Sequence, residues 1–437
     1  MFLQRCIFLL LSISSAQSFQ HASKVGLVFN KSEIHRLRNN ENVSYLREKR
    51  PVSTIALNLK RASKENEIIA NQSSDESASI SSLLPIVLPL LLVYISNQWS
   101  RSSLYYLVDF SNSETPTAFT AMNVDIAFSE AQYGALASVA FTFLFAITSL
   151  FAGGLADRFD RKLLTIGSCI AWSTAIFVTA ISEDYNQVLV ARILMGLACA
   201  FTTPSAYTLI RDLVPKDFTS LANSLYGSGV YLGGGLSSLS LLLDGNIGWR
   251  GTCEFIAAYG LIAASMTALI LPQDPKTEKE IINRDDNVEE EKQSPVSDVG
   301  EILSIPRVQW LFAGSFLRFC SGLCIGVWAA PYYKQAFPDE AASYAVINAL
   351  IVGLCGVTSG VVGGWAADQT ASWSEQTSQD SNMGRLIIPI IGSLLAVPAW
   401  YLTAHASTFD NAMFWLGIEY LVAECWFGPT ISVRITF

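Results

Sequence analysis

The stretch Gly153-Gly154-Leu155-Ala156-Asp157-Arg158-Phe159-Asp160-Arg161-Lys162 decides how the chain is read. It joins two apolar runs, 132–153 and 163–181, each long enough to cross a bilayer as a helix. Gly153 and Gly154 end the first run with no side chain, which lets helices approach closely where water supplies no drive to pack. Asp157 stands beside Arg158, Arg161 and Lys162, so the turn can close an ion-pair latch in one conformation and release it in another. The alternative is that its cations serve only to hold this loop on the inner face.

Working outward, apolar stretches of spanning length recur ten times, at about 83–109, 132–153, 163–181, 187–210, 220–243, 251–271, 308–332, 343–366, 385–404 and 411–436. The chain is 51% hydrophobic and 15% charged, where soluble domains carry roughly 25% charged residues. A soluble enzyme and a nucleic-acid binder are both excluded. Three histidines in 437 residues, and cysteines scattered singly or as Cys320-x-x-x-Cys324, offer no metal-ligand spacing, so no cofactor is expected. Between the sixth and seventh spans, 272–306 carries ten acidic residues against four Lys/Arg and reads as a solvated linker. With the N-terminus inside, the inside loops hold eleven Lys/Arg, and the outside loops hold only Arg250 and Lys334. That bias sets the orientation.

Residues 1–18 have a signal-peptide pattern: Arg5, a short apolar core from Cys6 to Ile13, then Ala16 and Ser18 at the cleavage site. Residues 19–82 follow as a basic leader with ten Lys/Arg before residue 65. Together they resemble the two-part plastid leaders of algae, which points to a plastid envelope. A plain secretory leader, with an endomembrane or plasma-membrane destination, is the other reading.

Internal repetition is visible. Gly363-Gly364-Trp365-Ala366-Ala367-Asp368 repeats the glycine-and-aspartate frame 210 residues after Gly154, Pro429 follows Pro204 by 225, and Arg318 follows Arg101 by 217. Two halves, 83–271 and 307–437, are expected around the acidic linker. Gly153-x-x-x-Asp157-Arg158-x-x-Arg161-Lys162 then resembles the signature of the major facilitator superfamily of secondary transporters. Arg192-x-x-x-Gly196, the glycine-rich run from Gly227 to Gly235 and Gly248-Trp249-Arg250 are similar to further motifs of that family. The signature departs at Asp160, where the family has glycine, and a loosened turn is expected there. Within the family, Ser96 to Arg101 and Trp328 to Pro331 are faintly similar to the spinster-like branch, with the organic-anion and phosphate carriers of plastids a comparable alternative. Spinster-like members carry acids where this chain has Ser100 and, near Arg192, Cys199.

The resemblance implies an all-α polytopic protein built from two six-helix bundles, the second ending here after its fourth helix, which reads as a truncated chain. It implies secondary active transport of a small organic solute, anionic or lipid-like, by alternating access, with a proton as coupling partner. A non-transporting membrane receptor or scaffold of the same fold is the alternative. Charges inside the bilayer are expensive and usually face a cavity or a partner. Asn97, Arg101 and Tyr105 share one helix face and, with Arg318, form a candidate substrate wall, since guanidinium groups suit carboxylate or phosphate. Snorkelling or a structural pair is the other reading for each arginine. Glu419 and Glu424 are candidate proton carriers, or else ion-pair partners of Arg318. Arg192, Gly364 and Asp368 join the gating motif, and Glu254 is expected near a helix start.

Overall fold

The computed structural model describes residues 83–111, 119–156, 158–215, 218–275, 304–376 and 381–431. The leader (1–82), Asp157, Lys216, most of the acidic linker and Arg434 lie outside the described residues.

Helices make up the described chain, with no strand among the described residues. They are α1 (Leu83–Tyr105), α2 (Glu130–Ala156), α3 (Arg161–Ala180), α4 (Tyr185–Leu213), α5 (219–247), α6 (249–270), α7 (Pro306–Ala336), α8 (Pro338–Glu375), α9 (Ser381–Ala404) and α10 (409–431). The ten rods match the ten apolar runs. Local chemistry sets their ends. Ser129 and Gln132 form a reciprocal capping box at α2, and Asp184 accepts from the backbone N–H groups of Asn186 and Gln187 at α4. Asp160, expected to loosen its turn, instead caps α3 by accepting from Leu163 N at 2.8 Å. Continuous helix would fuse α5 and α6, but Gly248 at φ 72° breaks them. Only glycine adopts that backbone at little cost, and a Cβ there would stand 3.1 Å from the Phe119 ring.

The polarity of the packing is inverted relative to a soluble protein. Leu269 and Trp310 are 86% and 80% exposed, whereas Arg161, Arg192 and Ser96 are at most 1% exposed. Such a surface belongs in lipid, and the chain is a multi-pass membrane protein. Within α1–α6, Leu83, Leu90, Ala206, Leu209 and Tyr226 form a core joining α1, α4 and α5. The seam to α7–α10 runs where α5 meets α8: Ser238 Oγ donates to Ala345 O at 3.0 Å, and Gly234 and Gly235 face Val352 and Ala349. Helices α2 and α8, second in each set, both carry a five-residue π-helical segment, 135–139 and 351–355.

Candidate functional site

The two ends of the helix bundle differ, and the difference frames the site. At the end bearing the α2–α3, α4–α5 and α6–α7 connections, called here the basic-loop end, Arg161 is fully buried between two acids. Its Nε and backbone N–H both donate to Asp274 Oδ2 at 2.8 Å, its Nη2 donates to Asp274 Oδ1, and its Nη1 reaches Asp212 Oδ2 at 2.6 Å. Lys162 Nζ donates to Leu271 O at 2.7 Å, capping the last carbonyls of α6. These contacts tie α3, α4 and α6 into one block. Asp274 was expected in a solvated linker. It is fully buried because the chain leaving α6 folds back on the start of α3, where its carboxylate meets both the guanidinium and a helix N-terminus. Arg158 is exposed. In the other half, Asp368 pairs loosely with Arg385 at 3.8 Å, while Gly153 and Gly364 have open space around them.

The opposite end is shut across the seam. Lys334 of α7 is buried and donates to Tyr106 O at 2.9 Å and Val108 O at 2.8 Å, just past α1. Asn348 of α8 donates to Tyr106 Oη at 3.1 Å and Ser238 Oγ at 3.0 Å, and Tyr133 Oη of α2 donates to Val327 O at 2.6 Å. One stripe on α7 shows how far the closure extends. Val327, Pro331 and Lys334 are buried, while over residues 309–326 no face of α7 is buried. The hydrogen bonds named across the seam, including Ser238 to Ala345, all lie at this end.

Arg101 lies on α1 five residues before Tyr106, just on the basic-loop side of that closure. It is half-buried; its guanidinium carbon lies 5.2 Å from the centre of the Phe141 ring, and no hydrogen bond or ion pair engages its five donors among the described residues. Asn97, one turn earlier, is 4% exposed with its Nδ2 unpartnered. Tyr105, one turn later, is buried near Arg192. Arg192 of α4 takes the other position against Phe141, 5.7 Å from the ring centre. Its donors go to Arg101 O at 3.0 Å, Leu136 O at 3.4 Å and Met195 Sδ at 3.7 Å. Leu136 belongs to the π-helical segment of α2. Gly196 lies against the backbone of Phe141, where a Cβ would overlap the Phe141 carbonyl, so α4 rests directly on α2. Phe141 carried no signal in the sequence, being one apolar residue in an apolar run.

Arg318 of α7 is placed differently. Its Nη2 donates to Ala423 O at 3.1 Å and to Glu424 Oε1 at 3.4 Å, and its guanidinium carbon lies 5.6 Å from the Trp426 ring centre. Glu419 is 6% exposed, with no hydrogen bond or ion pair among the described residues. The structure therefore brings Arg318 to Glu424, and Arg101 to Arg192. It shows no bond or ring contact between Arg101 and Arg318. Tyr231 of α5 packs its ring against Gly356 of α8. Glu254 is the sixth residue of α6 and is exposed, past the first turn that a helix dipole influences. No group of three or more metal-ligating side chains occurs among the described residues.

The sequence profile of the Major Facilitator Superfamily matches residues 79–434. Among curated proteins, the chain is 26% identical over 258 residues to a probable anion transporter of Oryza sativa described as chloroplastic, covering 55% of this chain and 48% of that one. It is 27% identical over 250 residues to the gentisate transporter of Corynebacterium glutamicum (55% and 54% covered) and 25% identical over 305 residues to a 4-hydroxybenzoate transporter of Pseudomonas aeruginosa (62% and 66%). The chain thus spans about half the length of the first two relatives. Among solved structures, an inward-facing, unoccupied bacterial homologue of the human lysosomal transporter Spinster aligns with TM-score 0.61 and 18% identity over 80% of this chain and 75% of that one. A D-xylose–proton symporter aligns with TM-score 0.53 and 16% identity, covering 79% and 81%.

Proposed function

The chain belongs to the Major Facilitator Superfamily, and from that premise we propose that it carries a small organic anion across a membrane by alternating access, with Arg101 holding the anion's charge. The observation that carries this reading is the guanidinium of Arg101: a cation one turn before the end of α1, with no counter-ion and no hydrogen bond among the described residues, on the basic-loop side of the closed seam. A group so placed is costly unless something charged visits it. Asn97 supplies an unspent donor on the same face, and Tyr105 borders it. Gentisate and 4-hydroxybenzoate, named for two relatives, are both carboxylates, which supports an anionic solute.

Arg318, expected to share the solute, acts in this reading through Glu424, its ion-pair partner. We place the proton step on Glu419, because it is buried without a hydrogen bond or ion pair among the described residues while Glu424 is already engaged. The Arg161–Asp212–Asp274 block and Lys162 keep α3, α4 and α6 moving as one body, while Lys334 makes and breaks its bonds at the other end. The chloroplastic rice relative supports a plastid envelope as the site of action. A fluorescent fusion of the full chain, imaged against plastid and endomembrane markers, tests that placement.

Transport is tested by reconstituting the full chain in proteoliposomes and following labelled 4-hydroxybenzoate and phosphate. Uptake that falls to the protein-free level in Arg101→Ala supports the assignment. Uptake in that variant at the wild-type rate contradicts it, and no uptake by the wild type favours the receptor or scaffold of the same fold.

A further inference from the structure

We propose that the solute is an aromatic carboxylate, held with its carboxylate on Arg101 and its ring laid on Tyr94, and that Tyr226 is the positioning residue behind that ring. This rests on the transport reading above and names the solute's chemical class.

Three helices build the place. On α1, Tyr94, Gln98 and Arg101 are spaced by four and three residues and share one face. On α4, Arg192, Cys199, Thr203 and Tyr207 recur at spacings of seven, four and four. Cys199 lies beside Asn97 and within electrostatic reach of Arg101, so this face of α4 is turned to α1. The Tyr94 hydroxyl meets Gln98 and Thr203, and Arg101 is within electrostatic reach of it. Behind both faces stands Tyr226 of α5, fully buried. Its ring stacks on Tyr94 with centroids 4.5 Å apart and planes at 11°, and meets Tyr207 edge-to-face at 5.2 Å and 80°. Gly229, three residues on, keeps α5 close: a Cβ there would stand 3.0 Å from Tyr94 Cδ1.

Tyr226 covers one face of Tyr94, so the exposure that half-buried Tyr94 keeps lies on its other face and edge. Tyr207 keeps 37%. Two aromatic surfaces are thus presented beside a guanidinium with no hydrogen bond or ion pair among the described residues. An aromatic ring stacks on such a surface, offset or edge-to-face, where a saturated body gains only burial. The donors favour a carboxylate over a phosphate. Those left unspent on this side of α1, the Arg101 guanidinium and Asn97 Nδ2, approach from one direction. A planar guanidinium fork suits the two oxygens of a carboxylate. A phosphate group spreads at least three strong acceptor oxygens around a compact centre and would turn some of them onto tyrosine rings. The other interior cations are engaged: Arg192 donates to Leu136 O and Arg101 O, and Arg318 to Ala423 O and Glu424.

The test measures uptake of labelled 4-hydroxybenzoate into proteoliposomes of the full chain, with unlabelled benzoate, cyclohexanecarboxylate or phosphate as competitor. The two acids share a carboxylate and a six-membered ring and differ in the π-system. The expected result is half-inhibition by benzoate at a concentration about two- to tenfold lower than by cyclohexanecarboxylate, the factor one aromatic pair contributes. Phosphate is expected to compete more weakly than either. Tyr94→Leu should abolish the preference for benzoate, while Tyr94→Phe, which keeps the ring, retains it. Tyr226→Leu should lower the same preference, and a preference unchanged there removes its positioning role. Equal competition by the two acids in the wild type, or uptake of labelled phosphate without uptake of 4-hydroxybenzoate, overturns the proposal and leaves transport intact. Should Tyr94→Leu fail to fold, that wild-type comparison still decides. Full preference in a folded Tyr94→Leu overturns the assignment to Tyr94. No uptake of either labelled anion overturns the transport reading itself.

Discussion

Arg192 donates to the backbone carbonyl of Arg101 at 3.0 Å, so a cation of α4 is anchored to the turn of α1 that carries a second cation. Both guanidiniums lie within 6 Å of the Phe141 ring centre, and a cation–π contact contributes about 0.5–2 kcal/mol without cancelling any net charge. The site is thus organised before any solute arrives.

The basic-loop block depends on a carboxylate that looked like linker. Asp274→Asn leaves Arg161 fully buried with one of its two acids gone, and breaking a buried pair in this way costs about 3–5 kcal/mol. The expected outcome is a clear fall in the melting temperature of the detergent-solubilised protein. Arg161→Gln combined with Asp274→Asn should cost less than the two single changes summed, since the residues share one interaction. Additive losses would show that the contact contributes little.

Closure of the opposite end rests on Lys334. Its two bonds to the carbonyls of Tyr106 and Val108 are charge-assisted, each contributing about 1.5–3 kcal/mol. Lys334→Met should open that end, by about tenfold or more in population. The check is labelling of a single-cysteine Val108→Cys variant by a membrane-impermeant maleimide, with and without Lys334→Met. Unchanged labelling would place the closure elsewhere, in Asn348 or Tyr133.

Two glycines of the sequence motifs should behave differently. Gly196→Ala drives a methyl group into the Phe141 carbonyl, lifting α4 off α2 and shifting Phe141 relative to the arginines, at a cost of about 1–3 kcal/mol. Gly153→Ala enters open space and should be neutral or slightly stabilising. Thermal stability of the two variants, measured side by side, checks the contrast.

Much of this architecture was legible in the sequence because lipid demands it. Ten apolar runs became ten helices, and Arg101, Arg192 and Arg318 stood out because charge within such runs is costly. Other features carried no readable signal. Asp274 was hidden among ten acids, and only the fold-back onto α3 gives it a partner. Asp160 looked like a missing glycine until its capping role appeared. The π-helical segments at 135–139 and 351–355 leave no trace in hydropathy. Lys334 read as a loop-edge cation because nothing local indicates that carbonyls beyond α1 would receive it. Pairing was the hardest to foresee: Arg101 and Arg318 match in sequence, yet among the described residues one has no hydrogen bond or ion pair and the other is bound to Glu424.

The central claim is that the guanidinium of Arg101 receives an anion. The most direct measurement is calorimetric titration of the purified full chain with 4-hydroxybenzoate and with phosphate, comparing wild type, Arg101→Ala and Arg318→Ala. The account predicts saturable binding of at least one anion by the wild type, weakening of at least about 1.5–3 kcal/mol in Arg101→Ala from the lost charge-assisted bonds, and a smaller loss in Arg318→Ala. Binding that survives Arg101→Ala at full strength but disappears in Arg318→Ala would contradict it.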